Sequence, residues 1–284
     1  MLVSEQDRII GPHTNLTSAL KDWLSCRDLT VMPAKKIRHL DENSNYRNAL
    51  LDECAWWLVI RHVGKMTWDY LEEERKTQTF ASYKILVDTG RYLPIDDKTK
   101  KGNLGEILLS KYIEEVTGYT TFDIFRLNYS TNVDQSMKGD DVLLFHPSNV
   151  YTDVIYGESK VRKAPSKKVV KEIVNNLQGN KRLPVSITFV SKRLRESGNA
   201  VLAKEIDKMH VELTKGNVPV RNVGMLMSKR VATPPSKDTL STVVRHLNTT
   251  NSNLAFIALG IDRVQEFVNE AYQKAYNILL TGKP

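Results

Sequence analysis

The residues most able to do chemistry lie close together in the chain. From residue 138 it reads Lys-Gly-Asp-Asp-Val-Leu-Leu-Phe, then a turn-rich stretch, then Tyr-Gly-Glu-Ser-Lys-Val-Arg-Lys up to residue 163. Asp141 opens an apolar run, Val142 to Phe145, with the character of a buried strand. Val154, Ile155 and Tyr156 lead a second strand into Glu158, Ser159 and Lys160. Pro147, Ser148 and Asn149 between them favour a turn. Strands joined this way become antiparallel neighbours, so the start of the first meets the end of the second and Asp141 approaches Glu158. Side chains alternate along a strand, so Glu158 and Lys160 share a face and Ser159 points away. The expected product is two carboxylates and an ammonium on one face of a sheet edge.

That set suits metal-dependent cleavage of phosphodiesters. Hard divalent cations such as Mg²⁺, or Mn²⁺ in its place, bind through a few carboxylates plus waters and substrate phosphate. They activate water and neutralise charge in the transition state. Lys160 adds positive charge at the attacking water or the scissile phosphate.

Two flanking segments must hold this set in place. Upstream, Asn103-Leu-Gly-Glu-Ile-Leu-Leu109 is expected to open a helix running to about Val116. Leu104, Ile107, Leu108 and Tyr112 form its apolar stripe, Asn103 is the expected N-cap and Gly118 the stop. Glu106 then falls in the first turn, where the helix dipole favours an anion. Downstream, Ser166 caps a helix from Lys167 to about Gln178, with Val170, Ile173, Val174 and Leu177 as its core stripe. Lys168, Lys171, Asn175 and Gln178 fall on one polar face.

These residues resemble the PD-(D/E)XK nuclease superfamily, the restriction-endonuclease-like fold. The strict Pro-Asp pair is absent, and Gly139-Asp140-Asp141 stands in its place. Asp141 is the better match because it directly precedes the apolar strand, with Asp140 as the fallback. The resemblance implies a metal set of Glu106, Asp141, Glu158 and the backbone carbonyl of Ser159, with Lys160 beside it. It also implies that the downstream helix flanks the active site. Lys168, Lys171, Asn175 and Gln178, with Lys138, Arg162 and Lys163 near the motif, are the DNA-contact candidates.

A closer resemblance rests on Gly105-Glu106-Ile-Leu-Leu, Arg126-Leu-Asn-Tyr-Ser-Thr-Asn132, Lys138-Gly-Asp-Asp141 and Gly157-Glu-Ser-Lys160. In order and spacing these look like the HamA family, AbpA-related nuclease subunits of bacterial Hachiman anti-phage systems. That resemblance implies a DNA nuclease encoded beside a helicase, HamB, which restrains it. It runs from about Lys101 to Arg162 and fades in the first ninety and last hundred residues.

The whole chain sets the bounds. Its 284 residues carry 41% apolar and 26% charged side chains, the composition of an ordinary soluble protein. No apolar run is long enough to span a membrane, and the N-terminus lacks the order of a signal peptide. Cys26 and Cys54 fit a reduced cytoplasm, and no cysteine–histidine spacing suits zinc. Residues 138–195 hold 12 Lys plus Arg against 5 Asp plus Glu, so they carry +7 of the formal +8. A basic surface around a carboxylate site is what an enzyme acting on a polyanion needs.

The expected architecture is α/β, a mixed sheet flanked by helices, with a mainly helical N-terminal region (1–95) before the nuclease domain (96–284). In the first part, Leu16–Leu24 and Tyr46–Val63 read as helices, and Trp68 to Phe80 as a further helical layer. Trp56, Trp57 and Trp68 are candidate anchors for a partner. The stretch Pro94–Gly102 reads as a loop. In the second part, Pro184–Val190, Val223–Met227 and Leu254–Leu259 read as strands, and Lys192–Met209 as a helix. Asp262 is expected to cap a final helix, Arg263 to Leu280. The functional expectation is a metal-dependent DNA endonuclease of anti-phage defence held by a helicase. A stand-alone sequence-specific restriction enzyme would instead give discrete fragments, and a non-catalytic DNA-binding subunit would need a broken metal site.

Overall fold

The computed structural model describes residues 4–32, 35–130, 132–135, 139–177, 186–231 and 237–284. Its strands are β1 (Leu24–Met32), β2 (Lys35–Glu42), β3 (Val142–Phe145), β4 (Val154–Val161), β5 (Val220–Lys229) and β6 (Leu254–Ile261). They form one six-stranded sheet in the order β1-β2-β6-β5-β4-β3. The centre, β2-β6-β5-β4, is parallel, and an antiparallel strand closes each edge. The helices are α1 (Glu5–Ile10), α2 (Leu20–Trp23), α3 (Arg47–Val63), α4 (Lys65–Thr77), α5 (Phe80–Gly90), α6 (Asp97–Thr117), α7 (Lys167–Leu177), α8 (Ile187–Glu196), α9 (Ala200–Thr214), α10 (Thr239–His246) and α11 (Val264–Thr281).

Period-two alternation splits the core between the two faces of the sheet. Val223, Met225, Met227, Ala255, Ile257 and Leu259 join the cluster packed by α3, α6 and α11. Leu226, Leu254, Phe256 and Ala258 join the cluster packed by α7 and α10. A third cluster puts α8 and α9 against Leu143, Phe145 and Val154 at the β3–β4 edge. Each fully buried aliphatic or aromatic side chain contributes about 1.5–3 kcal/mol, so the elements are fixed chiefly by these faces.

Several expectations are corrected. The first ninety-five residues are mainly helical, as expected, but they also hold β1 and β2, a hairpin whose second strand pairs with β6, so the sheet runs across the boundary set at residue 95. Leu16–Leu24 yields only the short α2 before Leu24 enters β1. The helix bearing Glu106 begins at Asp97, six residues before Asn103, and takes in most of the expected Pro94–Gly102 loop. Asp96 caps it by accepting from the Thr99 N–H at 2.7 Å. Asn103 is thus a buried interior residue and Glu106 sits mid-helix. Gly118, left-handed at φ 71°, ends the helix as expected.

Of the expected strand Pro184–Val190, residues 184 and 185 lie outside the described residues, and the chain is helical from Ile187. Ile187, Val190, Ser191 and Leu194 are buried, which is helical spacing despite the β-favouring side chains. Gly198, at φ +86°, separates α8 from α9 where one helix was expected. Asp262 does not cap α11. It accepts from Arg230 at 2.7 Å, and Arg263 occupies the cap position without a side-chain hydrogen bond to the helix N-terminus. Among the described residues no helix is long and apolar enough to cross a membrane.

Candidate active site

Register builds the centre of the site. Val142 pairs with Gly157 and Leu143 with Tyr156, so one step further along the ladder Asp141 lies opposite Glu158. Carboxylates directly opposite repel, so their placement needs compensation. Part of it is local. Asp141 Oδ2 accepts the Ser159 backbone N–H at 2.9 Å, and Lys160 Nζ lies 3.9 Å from the same oxygen. Lys160 also donates to Glu158 Oε1 and lies 3.9 Å from Glu172 Oε1. Asn176 Nδ2 donates to Glu158 Oε1 at 2.9 Å. Glu158 and Lys160 therefore face α7, which supplies both Glu172 and Asn176.

Ser159 faces the other way. It is buried, and a Cβ on Gly105 of α6 would meet Val161 Cγ2 at 2.7 Å and Ser159 Oγ at 3.1 Å. Glycine at 105 lets α6 lie on β4 at this point, and that close approach delivers the next residue, Glu106, to the acid cluster. Glu106 Oε2 accepts from Arg126 Nη2 at 2.8 Å.

The electrostatics are those of a crowded acid site. Burial pushes the Glu106 carboxyl up to about 7; Arg126 opposes the shift, while Asp141 and Glu158 add to it. Asp141 is pushed up to about 6 by burial first and then by Glu158, against Lys160, the Ser159 N–H and Arg126. Burial works against charge on Lys160, yet Asp141 and Glu158 outweigh it and raise its pKa. Lys160 and Arg126 thus act as internal counter-ions for three carboxylates.

These donors suit a hard divalent cation in kind: oxygen ligands, surplus negative charge and partial burial. Among the described residues no three acidic, imidazole or thiol side chains already converge on one point as a finished cage. The ion pairs supply the reason, because the ammonium of Lys160 and the guanidinium of Arg126 occupy carboxylate oxygens of Glu158 and Glu106. A cleft beside the cluster is lined by Glu106, Arg126, Asp140, Asp141, Ser186 and Phe189. Glu158 and Lys160 are not part of its lining and open toward α7.

Asp140, the fallback ligand, is tied elsewhere. Its Oδ2 accepts the Ser186 N–H at 2.8 Å, and its own N–H donates to Ser186 Oγ at 3.0 Å, anchoring the start of α8. Asp141 is the aspartate that shares its surroundings with Glu158 and Lys160.

Of the expected DNA contacts, Lys138 and Gln178 lie outside the described residues. Lys163, Lys168, Lys171 and Asn175 are exposed, the last three along one side of α7. Ser166 caps α7 weakly, its Oγ accepting the Val169 N–H at 3.4 Å. Arg162 is half-buried, with Nη1 donating to the Val161 carbonyl at 2.9 Å. Sequence reasoning missed Asn176 and Glu172, which lie on the site side of α7. It also gave no role to Arg126, although Arg126 stands in one of the quoted strings. Trp68 is buried, and Trp56 and Trp57 are half-buried against the core. The exposed apolar side chains of that layer are instead Met66, Tyr70, Phe80 and Ile85.

The likeness to known proteins extends well beyond the motifs. The HamA family profile matches residues 17–275. A Bacillus cereus protein described as Hachiman protein HamA is 31% identical over 277 residues, covering 98% of this chain and 97% of that protein. The likeness therefore includes the first ninety and last hundred residues, where the motif resemblance fades.

Proposed function

The chain belongs to the HamA family, and from that premise we propose that it is a metal-dependent DNA endonuclease serving anti-phage defence. The core is proposed to be of the PD-(D/E)XK type. The observation that carries the reading is the placement of Asp141 opposite Glu158, with Lys160 on the same face and Glu106 brought in by α6. Glu106, Asp141, Glu158 and the Ser159 carbonyl are the proposed holders of Mg²⁺, which would supply Lewis-acid polarisation of the scissile phosphate and an activated water.

The protein's own residues do the rest. The Ser159 N–H fixes the Asp141 carboxylate, and the Asn176 amide fixes Glu158, so neither must be oriented at the moment of reaction. Lys160 keeps its proton and presents a fixed positive charge where phosphate charge develops. Arg126 balances Glu106 until the site is loaded. The exposed side of α7 holds the DNA backbone.

A nuclease of low sequence preference needs restraint. We assign that role to a helicase partner, contacting the α4–α5 layer where Met66, Tyr70, Phe80 and Ile85 are exposed. The test of the activity is nicking of supercoiled plasmid in Mg²⁺. Wild type should nick, whereas Glu158→Ala and Lys160→Ala should lose about a thousandfold or more in rate. A folded Glu158→Ala protein nicking at the wild-type rate would refute the assignment, and discrete fragments would point to a restriction enzyme.

A further inference from the structure

Two basic surfaces follow the acid cluster in the chain, and they differ in one respect. On α8 and α9 most cations have partners: Lys192 and Arg193 share Glu196, Arg195 pairs with Asp207, Lys208 with Glu205 and, just past α9, Lys215 with Glu212, while Lys204 makes no ion pair among the described residues. On and before α7 they do not. Among the described residues Lys163, Lys167, Lys168 and Lys171 make no ion pair, and the nearby Glu172 is directed at Lys160. Within residues 138–195 the cations of α8 are thus paired, and those of α7 are left open.

The open charge continues onto a second helix that is distant in sequence. Val243 of α10 and Leu247 just after it share an apolar cluster with Val170, Ile173 and Val174 of α7. This packing brings the last turn of α10, with Arg245 and His246, alongside the first turns of α7. Arg245 is exposed and also makes no ion pair among the described residues. His246 is held below the usual histidine range by burial first, then by Lys167, Arg245 and Lys171, so all three are close enough to act on it. The helix dipole accounts for cations in the last turn of α10. It does not account for a second, unneutralised set being packed beside them, since like charges at close range destabilise one another.

We propose that the DNA backbone continues from α7 across the last turn of α10, where Arg245 and His246 take phosphates remote from the scissile one. The proposal rests on the nuclease reading above. Lys168 and Asn175 are seven positions apart, or about 10 Å along the helix, comparable to the axial rise of about three base pairs of duplex. The α10 turn extends that track. The occupant is a phosphodiester backbone because the track begins at the acid cluster, to which α7 is joined through Asn176–Glu158 and Glu172–Lys160.

The experiment measures affinity of the full chain for a labelled duplex in metal-free buffer, as salt rises from about 50 to about 200 mM. An Arg245→Gln/His246→Gln variant should bind severalfold more weakly, with a salt slope shallower by about one unit. Circular dichroism melting establishes that the variant is folded, and Arg245→Lys should restore most of the slope. An unchanged slope in the folded double variant overturns the α10 track. If Lys168→Ala/Lys171→Ala flattens the slope in the same assay, the α7 reading survives that failure. No duplex binding by the wild type would remove both.

Discussion

At the β1–β2 end of the sheet Arg38 is buried, and every direction of its guanidinium is answered. Asp28 accepts at 2.8 Å from both Nε and Nη2, Asp7 at 2.6 Å from Nη2, and the Gly11 carbonyl at 2.7 Å from Nη1. Close by, burial pushes the Glu42 carboxyl up, but Arg47, the Asp262 N–H at 2.8 Å and the Trp23 indole bring it below the usual range. At the β3–β4 end the outcome is reversed. Glu106 and Asp141 end well above the usual carboxylate range, with Arg126 and Lys160 against three acids. One sheet thus holds a charge set whose buried Glu42 is held ionised and one whose carboxylates are pushed toward protonation. The first serves stability. The second keeps carboxylates pushed toward protonation, which the proposed cation would relieve.

The sharpest way to break this comparison is to cut each end in turn. Arg38→Ala strands Asp7 and Asp28 and should cost about 3–5 kcal/mol, seen as a large fall in urea midpoint. Glu158→Ala should change stability by about 1 kcal/mol or less while removing the proposed cleavage, because it relieves repulsion as it removes a proposed ligand. If Glu158→Ala destabilises as much as Arg38→Ala, the two ends do not differ in kind.

Next in size is a pH effect. The folded pKa of Glu106 lies above its unfolded value, so the native state favours the protonated form. Its contribution to stability is full below about 4.5 and is lost as pH rises through about 7. Glu106→Gln should therefore stabilise the metal-free protein by about 1–3 kcal/mol at about pH 8. The gain should fade as pH falls toward about 4.5. Melting curves across that range check the sign, and a gain that grows on acidification would contradict it.

The smallest effect is on the surface. Lys168→Ala/Lys171→Ala should leave stability nearly unchanged and flatten the salt slope of DNA binding by about one to two units, uniformly across sequences. A change in sequence preference instead would favour direct base reading by α7.

How much of this was visible in the sequence follows from how local each feature is. Asp141, Glu158 and Lys160 belong to one hairpin, so a turn and strand periodicity were enough to bring them together. Glu106 was found for the wrong local reason. Its helix starts earlier, and the helix is directed onto the site by the close approach of Gly105 to β4, a tertiary fact. Asn176 and Arg126 carry no local signal, because each is defined by a carboxylate eighteen or twenty residues away. The β1–β2 hairpin was hidden by its charged residues. Arg38 sits where a strand core is expected to be apolar, and Asp7, Asp28 and the Gly11 carbonyl make that burial tolerable. The α8 segment misled in the opposite sense, its Ile-Thr-Phe-Val favouring a strand while the burial period is helical.

The central claim is that the β3–β4 end is charged for a cation, and calorimetric titration of Mg²⁺ into the wild-type protein and Asp141→Asn/Glu158→Gln at about pH 6.5 tests it directly. Wild type should bind saturably and release protons, read from the dependence of the heat on buffer ionisation, because Glu106, pushed up to about 7, and to a smaller extent Asp141, at about 6, hold protons there that a bound cation would displace. The double variant should show neither. Equal binding by both proteins, or no saturable binding by the wild type, would contradict the account.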